Sequence, residues 1–134
     1  MRTITMLAAL AALAAPLAPL AAAPGKPDAS GEAQLAKLLA GRTAGAPKSC
    51  ISLSRSNDST TVPHTAIVYR DGNTLYVNRF DGGCQELDRD TFIITRTPSE
   101  QLCRGDIADV RETAPVIPRG SCVFGSFTPY VKAK

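Results

Sequence analysis

The stretch TAIVYRDGNTLYVN, residues 65–78, decides the fold class of this chain. Two runs rich in isoleucine, valine, tyrosine and threonine flank Asp71, Gly72 and Asn73, a pattern typical of a β-hairpin closed by a tight primed turn. The turn can centre on Asp-Gly as type I′ or on Gly-Asn as type II′. These choices differ in strand register, and the residues alone favour neither.

Further strands are predicted on both sides of this hairpin, from alternating or β-branched residues. They cover residues 49–54, 92–96, 107–112 and 122–130. The polar tract 55–61 and the proline-rich segment 115–120 are predicted as a turn and a loop. Five or six short strands spaced by about ten residues indicate a mainly β domain, a small antiparallel barrel or sandwich.

Residues 1–23 have the features of a cleavable secretory signal peptide. Arg2 precedes a run without charged side chains, and Pro16 and Pro19 would break a membrane-spanning helix. Ala21-Ala22-Ala23 has the small-x-small form of a cleavage site, although Pro24 leaves the cut open by a residue or two on either side. We expect an exported protein with no membrane span in its mature form.

Behind the leader, residues 24–29 are predicted as a flexible tether and residues 30–41 as one short helix. Ser30 is the expected N-cap, and Gly41 the expected stop. Leu35, Leu38 and Leu39 give this helix one apolar stripe. The β domain is expected to span residues 48–131.

Composition limits the function classes. The mature chain has about 110 residues, enough for one domain. The formal charge of +3 comes from basic residues scattered singly among acids, which is not the pattern of a nucleic-acid interface. We expect a monomer that needs no cofactor and binds an envelope protein or a small ligand.

Four cysteines, Cys50, Cys84, Cys103 and Cys122, predict two disulfides in a small exported domain. No two of them have the Cys-x-x-Cys spacing that a zinc site or a redox pair requires. The residues themselves leave the pairing open.

His64 is the only histidine and therefore the one candidate for a hydrolytic base. No serine lies in a G-x-S-x-G nucleophile elbow. The sequence therefore predicts a non-enzymatic protein, with a small hydrolase using His64 as the alternative.

Two further sets of side chains are candidates for binding. Asp81, Glu86, Asp88 and Asp90 surround Cys84 and could offer oxygen ligands to calcium, but the D-x-D-x-D-G loop is missing and arginines lie among them. We therefore predict a solvated turn and no metal. The aromatic residues Tyr69, Tyr76, Phe124 and Phe127 could line a ligand-binding face, but such residues more often form the core.

Arg104-Gly105-Asp106 spells an adhesion tripeptide and is predicted as a turn.

Four strings together resemble a family of small exported proteins of alphaproteobacteria such as the sphingomonads, described as a domain of unknown function. They are GRTAGAPKSCI, TAIVYRDGNTLYVNR, QLCRGDI and GSCVFGSFTPY, and the resemblance covers about residues 35–131. It implies a periplasmic or envelope location and the pairs Cys50–Cys103 and Cys84–Cys122. On the residues alone, the nested pairs Cys50–Cys122 and Cys84–Cys103 are nearly as favourable.

The leading functional hypothesis is a non-enzymatic exported domain that binds a partner or ligand or supports the cell envelope. Besides the His64 hydrolase, a third hypothesis is a protease inhibitor that presents the loop 115–120 (PVIPRG), because small bridged β domains often display a rigid loop.

Overall fold

The structure is a computed structural model that describes residues 28–56 and 58–134. One helix, α1, spans Ala29–Leu38. The strands are β1 (Arg42–Ala44), β2 (Cys50–Ser52), β3 (Asp58–Val62), β4 (Ala66–Asp71), β5 (Thr74–Asn78), β6 (Thr91–Thr95), β7 (Gln101–Cys103), β8 (Ile107–Glu112), β9 (Pro118–Val123) and β10 (Phe127–Lys132). The predicted signal peptide and residues 24–27 of the predicted tether lie outside the described residues.

Backbone hydrogen bonds join these strands into three antiparallel sheets. The largest has the order β1-β10-β5-β4-β3, the second pairs β2 with β7, and the third has the order β6-β8-β9. The prediction of a mainly β, antiparallel, disulfide-bonded domain with one short helix is confirmed, and the layers fit a sandwich.

The predicted hairpin is β4–β5. Asp71 pairs with Thr74, so Gly72 and Asn73 are the two turn residues. Gly72 has φ +56, and Asn73 is not among the non-glycine residues with positive φ. Since a type I′ turn needs positive φ at both positions, the structure selects the Gly-Asn register of type II′.

This hairpin is buried on both faces. Ala66 and Val68 of β4 pack in a cluster with Leu35 of α1. Ile67 and Tyr69 point the other way, into a second cluster shared with the strands of the smaller sheets. The large sheet therefore lies between the helix and the two smaller sheets, which explains why β4 lacks the apolar-polar alternation of a strand with one solvent face.

The helix begins and ends earlier than the predicted 30–41. Asp28 is the N-cap, and its Oδ1 accepts a hydrogen bond from the Ser30 amide at 3.0 Å. Ser30 cannot cap because its own amide is already inside the first turn. The helix stops at Leu38, and the chain reverses through Gly41, at φ +70, into β1.

Gly31 allows the helix to approach the β3–β4 turn closely. A Cβ atom at this position would lie 1.8 Å from Thr65 Oγ1 and 2.7 Å from the Pro63 carbonyl oxygen. Only a glycine fits at this distance, so the residue type determines how near α1 lies to the turn that carries His64.

Several strand predictions were wrong in number or bounds. The tract 55–61 contains most of β3, a strand at the edge of the large sheet whose first three residues are exposed. Residues 118–120 of the predicted loop 115–120 belong to β9, and β1 and β7 were not predicted. These elements are short or solvent-facing, so they carry no apolar periodicity.

The disulfides join Cys50 to Cys103 and Cys84 to Cys122, the pairs that the family resemblance implies. Cys50 and Cys103 lie directly opposite each other in β2 and β7. The second bridge ties the segment after β5 to β9. The first bridge joins residues that are 53 positions apart in sequence, and the second joins residues that are 38 positions apart.

We expect paired serine substitution of either bridge to lower the free energy of unfolding by about 4 kcal/mol, the chain-entropy value for loops of this size. Urea unfolding of Cys50→Ser/Cys103→Ser and Cys84→Ser/Cys122→Ser, each against the wild type, measures this loss. A shift below about 1 kcal/mol in both variants would contradict a stabilising role of the bridges.

An ion pair attaches α1 to the end of the hairpin. Arg79 donates to both carboxylate oxygens of Glu32, with Nη2 to Oε2 at 2.8 Å. The hydrogen bond from Arg79 lowers the pKa of the Glu32 carboxyl below its ordinary value of 4.5, although partial burial opposes the shift. The folded state therefore favours the ionised carboxylate.

This pair predicts acid sensitivity in the docking of the helix. Because the folded pKa of Glu32 is lowered, its contribution is fully present above pH 4.5 and is lost as the pH falls below that value. Glu32→Gln should cost about 0.5–1 kcal/mol of unfolding free energy at pH 7, since both side chains are partly exposed. The difference from the wild type should shrink toward zero at lower pH, as measured by urea unfolding across a pH series. Glu100→Gln, an exposed position, is the control; equal pH profiles for the two variants would contradict the assignment.

Candidate functional site

Two open polar clefts lie on either side of Asp88. One has a volume of about 390 Å³ and is lined by Asp88, Asp90, Thr91, Glu112, Thr113, Ala114 and Arg119. The other has a volume of about 340 Å³ and is lined by Asp28, Ser30, Gly31, Gln34, Pro63, His64, Asp88 and Arg89. The first borders the β8–β9 hairpin, and the second lies between that region and the start of α1.

The loop of the β8–β9 hairpin, residues 113–117, is anchored at both ends. The amide and hydroxyl of Thr113 donate to the carbonyl oxygen of Asp90 at 2.9 and 3.1 Å. The Glu112 amide donates to the carbonyl oxygen of Ile117 at 2.9 Å. These bonds hold the loop against the segment that enters β6.

The tip of this loop is apolar and exposed. Val116 is 59% exposed and Ile117 is 44% exposed. β-branched side chains have few rotamers, so both present a stiff surface. We refer to residues 114–117 as the apolar tip. The apolar tip consists of Ala114 and residues 115–117, and the latter are the part of the predicted loop 115–120 that lies outside β9.

The cleft beside the apolar tip carries more negative than positive charge. Asp88, Asp90 and Glu112 contribute carboxylates, and Arg119 contributes the one guanidinium among its lining residues. Arg119 forms an ion pair with Glu112 across the hairpin. The carboxylate of Asp90 is exposed and makes no ion pair within the described part of the chain.

The second cleft contains His64 at the third position of a turn. The Thr65 amide donates to the Val62 carbonyl oxygen at 3.1 Å, Pro63 occupies the second position, and His64 has φ +54. Glycine or asparagine usually occupies this position, because positive φ brings a side chain's Cβ too close to the backbone. His64 therefore stores backbone strain that other contacts must offset.

Those contacts reach the chain just after Cys84. The His64 amide donates to the Leu87 carbonyl oxygen at 2.7 Å, and Nδ1 lies 2.8 Å from the Gln85 carbonyl oxygen. A carbonyl oxygen only accepts, so Nδ1 carries the proton and Nε2 keeps its lone pair in the neutral ring. His64 thus holds the segment 85–87 against the β3–β4 turn.

Ser30 and Asp28 lie in the same cleft but interact with each other. The Ser30 hydroxyl donates to Asp28 Oδ1 at 3.0 Å, and this bond lowers the pKa of the Asp28 carboxyl. Across residues 28–56 and 58–134, His64 makes no hydrogen bond to a serine or a carboxylate. The arrangement brings a serine, a histidine and an aspartate into one cleft without the serine–histidine contact that a hydrolytic triad requires.

The acidic cluster around Cys84 is dispersed. Asp81 forms an ion pair with Arg104 at 3.3 Å, and Glu86 lies beside the disulfide, 3.7 Å from Cys122 Sγ. Asp88 and Asp90 turn to the cleft below the apolar tip. Within the described residues, the one close group of metal-type ligands is Cys84, Glu86 and Cys122, whose sulfurs form a disulfide and offer no thiolate.

The aromatic residues form core rather than a ligand-binding face. Tyr69, Phe124 and Phe127 are buried, and Phe124 and Phe127 stack with their centroids 6.0 Å apart. Tyr76 is half-buried, with Lys48 Nζ 5.7 Å from its ring centroid. Burial raises the pKa of the Tyr69 hydroxyl far above its ordinary value.

The tripeptide 104–106 is the predicted turn. Gly105 has φ +91, and the Asp106 amide donates to the Cys103 carbonyl oxygen at 3.1 Å. The Asp106 carboxylate accepts from the Cys103 amide at 2.8 Å, and Arg104 pairs with Asp81. Both charged side chains are thus engaged within the domain.

The sequence interpretation singled out the loop 115–120 but missed Glu112 and Thr113, which anchor it. Thr113 bonds to Asp90, which is 23 residues away in sequence, and Glu112 bonds to the backbone of Ile117, which requires no particular residue type. No sequence motif therefore connects these pairs. The sequence feature that could have indicated an exposed apolar surface is the pair Val116-Ile117 between two prolines, because apolar residues in such a loop do not reach the core.

Comparisons with protein-family models, curated proteins and solved structures found no significant match to the chain. Within the described residues, no helix is both long and apolar enough to cross a bilayer.

The strain at His64 predicts an unusual order of stabilities. His64→Gly relieves the positive φ, so it should retain about 1 kcal/mol more unfolding free energy than His64→Ala, which loses the same side-chain contact. Urea unfolding of the two variants measures the difference. The substitution pair Thr60→Gly and Thr60→Ala, in strand β3, serves as control and should show the opposite order. An alanine variant at position 64 as stable as the glycine variant would contradict the strain.

Proposed function

We propose that this chain is an exported, non-enzymatic binding domain that recognises a protein partner through the apolar tip, residues 114–117. The observation that carries the proposal is the exposure of Val116 and Ile117, 59% and 44%, on a loop whose two ends are anchored. When a partner covers an exposed apolar side chain and removes it from water, the free energy falls, which favours association.

The anchoring of the loop supports a binding role. Ordering a flexible loop on association costs conformational entropy, and a loop already held by hydrogen bonds avoids much of that cost. The bonds from Thr113 to Asp90 and from Glu112 to Ile117 fix the loop before any partner arrives. Burial of one such side chain contributes about 1.5–3 kcal/mol, so two can act as the centre of a small interface.

The charge around the tip indicates the chemistry of the partner. Asp88, Asp90 and Glu112 line the neighbouring cleft with a single guanidinium. A complementary partner would present an apolar pocket bordered by lysine or arginine side chains. Such charges at the rim set the orientation and the association rate more than the affinity.

The proposed location is the periplasm or the exterior of a Gram-negative cell. The predicted signal peptide 1–23, the two disulfides and the resemblance to small exported proteins of alphaproteobacteria support it.

Protease inhibition by the loop 115–120 is the second candidate, because an exposed and anchored loop resembles a presented reactive segment. Arg119 of this loop is ion-paired with Glu112 and lies in β9, which disfavours its insertion into a protease pocket. Titration of a trypsin-like protease with the purified domain separates the candidates, since inhibition at micromolar concentration would favour the inhibitor.

We expect the tip to contact the partner in the producing cell. A photo-crosslinking benzoylphenylalanine at position 116 should give one discrete adduct, whose protein component is then purified. Isothermal titration with that protein should show binding weakened about tenfold by Val116→Ser or Ile117→Ser, the loss of one buried aliphatic side chain.

Val131→Ser is the matched control, because Val131 is 47% exposed on β10 in the large sheet. It should leave the dissociation constant unchanged. The proposal fails if no adduct forms at position 116, or if Val131→Ser weakens binding as much as the tip variants do.

A further inference from the structure

The five-stranded and three-stranded sheets end in four edge strands: β1, β3, β6 and β9. An edge strand exposes unpaired backbone N–H and C=O groups, which can pair with a strand from another chain. Proteins commonly block such pairing with prolines, charges, bulges or very short strands. The four edges of this domain differ sharply in whether they carry these features.

Three of the edges carry at least one of these features. Strand β9 begins with Pro118 and contains a bulge opposite Val110 and Arg111. Strand β3 begins with Asp58, which pairs with Arg70 of β4 at 3.6 Å. Strand β1 has only three residues and begins with an arginine.

The fourth edge, β6, carries none of these features. Its sequence, TFIIT, has no charge and no proline, and it pairs with β8 over five residues without a register shift. Across residues 28–56 and 58–134, β8 is the one strand that is hydrogen-bonded to β6. Within these residues the outward backbone groups of β6 therefore have no strand partner, and three of its five side chains are apolar.

The side chains of β6 divide between two faces. Ile93 packs against the core, whereas Phe92 and Ile94 project to the opposite face. Both are half-buried, and they pair with the β8 residues Arg111 and Asp109, which share that face. The outer face of β6 thus adds apolar area beside its open edge.

We propose that β6 pairs antiparallel with β6 of a second copy of this chain, across a two-fold axis centred on Ile93. In this register Phe92 of one copy lies opposite Ile94 of the other, and Thr91 lies opposite Thr95. Every residue of the strand therefore meets a compatible one, as an isologous interface requires. The two three-stranded sheets then form one continuous sheet with β6 and its copy at the centre.

Charge complementarity selects this occupant over an arbitrary peptide. Asp90 precedes β6 and Arg96 follows it, and both are exposed. Neither makes an ion pair within the described part of the chain. In the proposed register, Asp90 of one copy lies opposite Arg96 of the other, and the symmetry repeats the pair. The expectation of a monomer is thereby replaced by a proposed dimer.

Sedimentation equilibrium of the purified mature protein tests the dimer. The concentrations extend to about 1 mM, because a contact between two five-residue strands is small and small interfaces are weak. Arg96→Asp places like charges opposite each other twice and should raise the dissociation constant about tenfold. Arg96→Lys should change it little. The double variant Asp90→Arg/Arg96→Asp should restore it, since the exchange recreates both pairs.

Amide hydrogen exchange locates the contact: residues 92–95 should become more protected as the protein concentration rises. Ile94→Lys should abolish dimerisation. Thr60→Lys, which also introduces a lysine on an edge strand but on β3, should not. A protein that remains monomeric at every concentration overturns the proposal. So does a dimer that Ile94→Lys leaves intact, or that Thr60→Lys weakens equally.

Discussion

The whole domain depends on burial of the β4–β5 hairpin on both faces. One face, with Ala66 and Val68, packs against α1, and the other, with Ile67 and Tyr69, packs against the smaller sheets. A short helix and a two-stranded sheet are marginal in water on their own, so α1 and the β2–β7 sheet need this contact to persist. The hairpin is thus the common surface on which the other layers assemble.

The buried side-chain amide of Asn78 connects the hairpin to the segment between β9 and β10. Asn78 is fully buried, donates to the Gly125 carbonyl oxygen at 2.7 Å and accepts from the Gly125 amide at 3.2 Å. Its polar groups are thus satisfied without water, as burial demands. A Cβ at position 125 would lie 2.2 Å from the Arg79 carbonyl oxygen, so the close approach requires glycine. The second disulfide adds a covalent link between the same regions.

The two proposed surfaces belong to the same three-stranded sheet but use different parts of it. The apolar tip is the connection between β8 and β9, whereas the dimer contact is the free side of β6. Asp90 lies near both, because its carbonyl oxygen anchors Thr113 and its side chain flanks β6. Pairing of two β6 strands would place two tips on one rigid assembly, and a bivalent partner would then bind with increased avidity.

The sequence by itself determined the mainly β class, the central hairpin and the presence of two disulfides, because these follow from local residue patterns and cysteine number. It also singled out the loop 115–120, part of which is the apolar tip. Only the tertiary structure decided the type II′ register, the early N-cap at Asp28 and the conversion of the polar tract 55–61 into an edge strand. It alone showed that Thr113 anchors the tip and that His64 braces a turn. The contacts of Thr113 and His64 join residues distant in sequence, which leave no local pattern, whereas burial of apolar side chains does. The N-cap and the turn register are choices between neighbouring residues that each satisfy the local pattern.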